Sequence, residues 1–230
     1  MEIATERFEG TMEKVNRTLL YWINSLTFLS GALNVTAMIA FSISVSHLTG
    51  NLSKVPIDFA NGNISNLLKV AGILFAFLAG SAVAGFLIGG KEFKLKKRYG
   101  WTFEVMATLL ILSYKLLYGS FSFVLLLGFI MGLQNGLFIM YKGTVIRTTH
   151  VTGSVTDLGI YIGHYLKGDK SVAWRLRYYV YNIISFTVGG GVGAIGYSLF
   201  LEKFFYFFII GYIIEGAFYF RIRKKYSELF

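Results

Sequence analysis

Long apolar runs, separated by short polar segments, account for most of the sequence. A helix that crosses the hydrocarbon core of a bilayer needs about 20 mostly apolar residues. Six segments reach that length, at about 19–46, 66–89, 101–119, 121–141, 178–200 and 204–220. The pattern therefore predicts an all-α, polytopic membrane protein with six transmembrane helices.

Composition agrees with this prediction. The chain of 230 residues is 55% hydrophobic and only 15% charged, whereas soluble proteins carry about 25% charged residues. It has no cysteine, which rules out disulfides and thiolate metal sites. A net charge of +10 could indicate nucleic-acid binding, but the basic residues fall in short loops between apolar runs. We therefore expect no nucleic-acid partner, no metal and no other cofactor.

The distribution of lysine and arginine predicts the orientation. Cytoplasmic loops of membrane proteins carry an excess of these residues. With a cytoplasmic N-terminus, all but four of the 22 basic residues would lie on the inner side; the exceptions are Lys54, Lys69, Lys115 and Lys203. We therefore predict two cytoplasmic termini, with an N-terminal arm over residues 1–18 and a basic tail over 222–230.

A polar signature occurs twice in the chain. Residues 46–53 read SHLTGNLS and residues 149–156 read THVTGSVT, and each follows a G-x-x-N motif, at 31–34 and 132–135. Three predicted helices, an odd number, separate the two signatures. The halves over 19–119 and 120–221 are therefore predicted to form a 3+3 inverted-topology repeat. The small residues in the second and fifth predicted helices suggest that these two helices cross each other.

The first predicted helix of each half is longer than a bilayer requires. Residues 19–48 exceed the needed length by about ten residues. We hypothesise that each lead helix breaks, or turns back, at its polar signature. Backbone without helical hydrogen bonds survives at membrane depth only where protein or a water-filled cavity satisfies it. Gly50 and Gly153 would permit the turn, and neighbouring polar side chains would cap the exposed helix ends.

These motifs resemble the YoaK-like family, a set of bacterial membrane proteins of unknown function. The resemblance rests on VSHLTGN at 45–51, FLAG at 77–80, GLQN at 132–135 and VIRTTHVTGSVTDLG at 145–159, and it extends from about residue 30 to 215. It implies a multi-pass protein of the bacterial inner membrane and supplies no substrate. Asn34 stands where the family has an acidic residue or Asn, and Ser154 where Thr is common.

The signatures and the G-x-x-N motifs predict a substrate-binding site between the halves. Its predicted residues are Asn34, His47, Thr49, Gly50, Asn51, Gln134, Asn135, Arg147, His150, Thr152, Gly153 and Ser154. The histidines could respond to protons or contact substrate, or they could hydrogen-bond to loop backbone at a membrane interface. Arg147 could face an anion or pair with Asp157.

Two carboxylates, Glu104 and Glu215, lie within predicted spans. Carboxylates are costly there and usually face a cavity or a partner, so both residues are candidates for proton coupling. Both also lie near the predicted cytoplasmic end, where a side chain that reaches to water is the alternative explanation.

Together these features favour a small secondary transporter or facilitator for a polar or ionic solute, with an anion favoured if helix N-termini point at the site. A passive ion channel and a non-transporting scaffold or assembly protein are the alternatives. No phosphate-binding glycine loop or catalytic triad order occurs in the sequence, so we expect no enzyme. The expected partners are membrane lipid and the solute, with a homo-oligomer left open.

Overall fold

The computed structural model describes residues 2–88, 94–137, 144 and 146–226, with side chains from residue 14 onward. The regular elements of these residues are all helical, as predicted. They are α1 Glu2–Phe41, α2 Leu48–Ala60, α3 Ile64–Ile88, α4 Lys97–Leu117, α5 Phe121–Gly136, α6 Val151–Leu166, α7 Ala173–Phe200 and α8 Phe205–Tyr226. Short 3₁₀ turns, Lys170–Val172 and Leu201–Phe204, lead into α7 and α8.

Within the described residues, four stretches are long and apolar enough to cross a bilayer: Lys14–Phe41, Ile64–Ile88, Lys97–Leu117 and Lys170–Tyr226. The last of them contains both α7 and α8, and α5 is a shorter apolar helix of 16 residues. The chain is therefore a membrane-type helical protein, while the count of six spans stays a prediction. The predicted span ends at 89 and 141, together with Lys91 and Lys142 of the charge distribution, lie outside the described residues.

Three helix pairs form the body of the molecule. Helix α1 packs along α7, α3 packs along α5, and α4 packs along α8. Helices α2 and α6 lie at the periphery, where α2 packs on α3 and α6 packs on α7. The small residues of α3 and α7 serve these pairs, so the prediction that the second and fifth spans cross each other is wrong. The small residues of α3 instead face α5, and those of α7 face α1, so each set packs against the lead helix of the other half.

Glycines allow the helices of two of these pairs to approach closely. A Cβ atom added to Gly31 of α1 would overlap the carbonyl oxygen of Phe186 in α7, and one added to Gly132 of α5 would overlap that of Phe77 in α3. Because the obstacle is backbone, no larger residue fits without separating the helices. The same contact, between a G-x-x-N glycine and a phenylalanine carbonyl, thus occurs once in each pair.

Aromatic clusters mark two ends of the bundle. At one end, Trp22 of α1 contacts Tyr99 of α4 and Tyr219 of α8. At the other end, Phe41 contacts Phe205, the first residue of α8. With a rise of 1.5 Å per residue, Trp22 and Phe41 are about 28 Å apart along α1. This length is close to the thickness of a bilayer's hydrocarbon core, about 30 Å.

Candidate functional site

The first lead helix breaks, as hypothesised. Helix α1 ends at Phe41, Ser42 has a left-handed backbone with φ 57°, and α2 begins at Leu48. The connecting residues fold back along α1, because the Ser44 hydroxyl and the Ser46 N–H both donate to Oδ1 of Asn34, at 2.8 and 3.1 Å. Asn34 lies about two turns before the end of α1, so the chain re-enters the bundle before α2 starts.

Further hydrogen bonds close this break. The His47 N–H donates to the Ser44 hydroxyl at 2.8 Å, and the Asn51 side-chain amide donates to the Ser44 carbonyl at 2.7 Å. Asn34 and Asn51, both predicted to bind substrate, therefore hold the re-entrant segment in place. Their hydrogen-bonding groups stabilise the local backbone.

The first signature lies at the level of α1 that is midway between Trp22 and Phe41. The ring of His47 meets the ring of Phe186 edge-on, with centroids 5.8 Å apart. The carbonyl of Phe186 lies against Gly31, which is about 14 Å along α1 from both Trp22 and Phe41. Both end clusters are thus about equally far from the start of α2.

The second signature is tied to the rest of the bundle through Gln134, which is fully buried. Its side-chain nitrogen donates to Ser30 Oγ at 2.7 Å and to Thr148 Oγ1 at 3.2 Å, and its oxygen accepts from the Tyr212 hydroxyl at 2.8 Å. One amide thus links α5 with α1, with α8 and with the segment before α6.

Two further predicted residues anchor the second signature. Arg147 donates to the backbone carbonyl of Asn135 at 3.1 Å. The Ser154 hydroxyl donates to Oδ1 of Asn182 at 2.9 Å, and the Asn182 amide donates to the Thr27 hydroxyl of α1 at 3.1 Å. The start of α6 is therefore held to α7 and, through Asn182, to α1.

The structure brings the two signatures together at the N-termini of α2 and α6. The N-cap residues of these helices are His47 and His150, and neither side chain makes a capping hydrogen bond. Both helix starts lie on the same part of α7, since His47 contacts Phe186 and Ser154 donates to Asn182, one turn away. The two imidazoles are close enough for their protonated forms to repel each other. Both side chains are exposed, so the meeting point opens on one side of the bundle. Each helix N-terminus carries a partial positive charge of about half a unit.

Three buried oxygen atoms near the signatures have no hydrogen-bond partner among the described residues: Ser46 Oγ, Thr149 Oγ1 and Asn135 Oδ1. The three residues are only 7%, 3% and 5% exposed. Ser46 and Thr149 occupy equivalent positions, directly before the two N-cap histidines. Buried polar groups are normally paired, so unpaired oxygens at both copies indicate a place for water or a ligand.

A cleft of about 540 Å³ opens beside the first signature. It is lined by Met38, Ser42, Ser44, His47, Gly50, Asn51 and Lys54. Its volume is that of a small-molecule site, and none of its lining residues is acidic. No residue of the second signature lines it, so the sequence prediction of one cavity that reaches both signatures is not met by this cleft.

The two predicted coupling carboxylates lie away from the signatures. Glu215 of α8 is buried and hydrogen-bonded to Ser25, near the Trp22 end of α1, and its Oε2 atom has no partner among the described residues. Glu104 of α4 lies against Gly216 of α8. Both carboxylates thus belong to the α4–α8 side of the bundle.

A family model described as "Protein of unknown function (DUF1275)" matches residues 23–217, which include both signatures. The chain belongs to this family. The resemblance to YoaK-like proteins is thereby confirmed. No curated protein and no solved structure matches the chain.

Sequence reasoning missed two polar residues that organise the site, Asn182 and Tyr212. Each lies within an apolar predicted span, where a buried polar group must find a partner. An isolated asparagine in the fifth predicted span was the available signal. Tyr212 gave no such signal, because tyrosine also occurs at membrane interfaces for other reasons.

Proposed function

We propose that this protein is a transporter or facilitator that moves a small polar or ionic solute across the bacterial inner membrane. The carrying observation is that the chain folds back after α1 ends at Phe41, so that the N-termini of α2 and α6 meet at a level midway between Trp22 and Phe41 of α1. At that depth lipid cannot satisfy exposed helix ends and imidazoles, so water or protein must do so. A polar opening at the middle of a membrane protein is where solute sites form in transporters.

We also propose that α1–α4 and α5–α8 are inverted halves, with the N-terminus in the cytoplasm. The repeated contacts support this arrangement: Gly31 meets Phe186 between α1 and α7, and Gly132 meets Phe77 between α5 and α3. Exchange of the two halves converts each of these pairs into the other and leaves the α4–α8 pair unchanged. Inverted halves would expose the shared site alternately to the two sides of the membrane.

A passive channel is the second candidate, favoured by the openness of the site on one side of the bundle. A scaffold protein would also present His47 and His150 on its surface. A second copy of the chain would pack on that side. Saturation separates a transporter from a channel, because a carrier must change conformation for every solute that it moves.

The test uses purified protein in liposomes. Swelling of shrunken vesicles would be followed by light scattering with urea, glycerol, potassium formate and potassium chloride as probes. We expect at least one probe to enter faster than into protein-free vesicles, with saturation and with counterflow of labelled probe. Flux without saturation would indicate the channel, and protein-free rates with every probe would contradict both.

A matched pair of variants assigns the flux to this site. The double variant His47→Ala/His150→Ala should lose the flux, whereas His164→Ala should keep it, because His164 is an exposed residue near the far end of α6. Equal flux in the two variants would remove the signatures from the pathway.

A further inference from the structure

Resting on the proposed function, we propose that the site takes a small monovalent anion, such as a halide, nitrate or a short carboxylate, held between the first turns of α2 and α6. The first N–H groups of an α-helix have no acceptor within the helix. The first helical hydrogen bonds of α2 and α6 run from the Asn51 N–H to the His47 carbonyl and from the Ser154 N–H to the His150 carbonyl. The preceding N–H groups, at Thr49, Gly50, Thr152 and Gly153, are the ones an anion would meet.

The space beside both first turns is open. A Cβ atom added to Gly50 would meet no atom within 4 Å, and one added to Gly153 would meet only the His150 ring, at 4.0 Å. Elsewhere in the bundle, the space beside glycines such as Gly31 and Gly132 is occupied by the backbone of a neighbouring helix. The two signature glycines therefore leave room at the helix ends, where a ligand can approach the backbone.

Donor groups without partners adjoin both helix ends. The buried hydroxyls of Ser46 and Thr149 have no hydrogen-bond partner among the described residues, and a hydroxyl can donate its proton to an anion. They stand directly before the two N-caps. This observation is independent of the helix dipoles, and it occurs at both copies.

The charges around the site have the sign that an anion needs. Lys54 lines the cleft beside the first N-cap, and the imidazoles of His47 and His150, at the two N-caps, can each donate an N–H hydrogen bond. The carboxylate of Asp157 on α6 accepts a hydrogen bond from Tyr179 at 2.7 Å. A hard cation would instead need several oxygen ligands, commonly carboxylates, and no acidic residue lines the cleft.

The test compares anions with other solutes in the same proteoliposomes. Iodide entry would be followed with an encapsulated halide-sensitive dye and formate entry with the labelled ion, beside urea and potassium. We expect iodide or formate entry at least about tenfold above protein-free vesicles, with potassium entry unchanged.

Two variants test whether the anion binds at the helix ends. Gly50→Leu and Gly153→Leu should each lower anion entry about tenfold, because the new side chain fills the space beside the first turn. Both should fold, since that space is open. Gly159→Leu is the matched control: it lies two turns further along α6, its added Cβ would also meet nothing within 4 Å, and anion entry should be retained.

The outcomes separate this inference from the proposed function. Entry of urea or glycerol without anion entry would overturn the anion inference and leave a solute facilitator standing. No entry of any probe would contradict both proposals. Anion entry that is equal in Gly153→Leu, Gly50→Leu and Gly159→Leu would overturn the placement at the helix ends.

Discussion

The two halves of the molecule use the same asparagine in different ways. In the first half, Oδ1 of Asn34 accepts two hydrogen bonds and holds the re-entrant segment against α1. In the second half, Oδ1 of Asn135 has no partner among the described residues, and Arg147, at the position of Ser44, donates to its backbone carbonyl instead. A common motif thus stabilises a break in one half and leaves an unpaired amide oxygen near the site in the other.

The short helices also differ in their anchors. Asn51 bonds back to its own lead segment, whereas the equivalent Ser154 bonds to Asn182 of α7. Alignment of Phe77 with Phe186 places the buried Ile73 at the position of Asn182. The second half therefore carries more of the polar bonds that run between helices. We infer that the first signature is held locally and the second by the bundle.

The largest effect is expected for the close glycine contact that both halves share. Gly31→Ala and Gly132→Ala should each lower the free energy of unfolding by about 3 kcal/mol, the upper end for overpacking, because each added methyl meets a backbone carbonyl. Unfolding in detergent would measure this. Gly191→Ala in α7 is the control, since its Cβ would meet nothing within 4 Å. An equal loss in the control would refute the close contacts.

The second largest effect is expected for the hydrogen bonds of Gln134, which has a polar side chain only in the second half. Gln134→Leu should cost about 2 kcal/mol, because several interhelical hydrogen bonds are lost together. The position equivalent to Gln134 in the first half is Leu33, which is buried and apolar. A double-mutant cycle with Tyr212→Phe would isolate one bond. Additive losses would show that Tyr212 and Gln134 do not interact.

A direct comparison of the two asparagines should give a smaller effect. Asn34→Leu should cost about 1–2 kcal/mol, since it removes the acceptor of two hydrogen bonds in the break. Asn135→Leu should change stability by less than about 0.5 kcal/mol, because the lost oxygen has no partner to leave unpaired. Thermal unfolding of the two variants side by side measures the difference. Similar losses of stability in both variants would contradict the proposed difference between the two asparagines.

The smallest effect concerns the anchor of α6. Ser154→Ala should cost about 0.6 kcal/mol, the average for a hydrogen bond between membrane helices. Thr156→Ala on the same helix removes only a bond to its own backbone at Thr152 and should be neutral. Hydrogen exchange at the start of α6 should rise in the first variant. Unchanged exchange there would show that Asn182 does not anchor the helix.

Much of the architecture could be predicted because its causes are local. Long apolar runs predict helices, and the first polar signature indicated where the first lead helix would break. The expectation that Gly50 and Gly153 make the turns is wrong, because Ser42 has the left-handed backbone and the two glycines lie within α2 and α6. The pairing of helices could not be predicted in the same way, because small residues permit close approach without selecting the partner. Asn182 and Tyr212 were missed for a related reason: their role depends on Thr27 and Gln134, which are far away in the sequence.

By itself, the sequence determined that this chain is helical, suited to a membrane and marked by two related polar signatures, since apolar length and residue type act over a few turns. Only the tertiary structure decided that the two helix N-termini meet on an open side of the bundle, and that Asn34 is paired whereas Asn135 is not. Hydrogen bonding of a buried group depends on which distant residues pack beside it, and identical motifs carry no information about that.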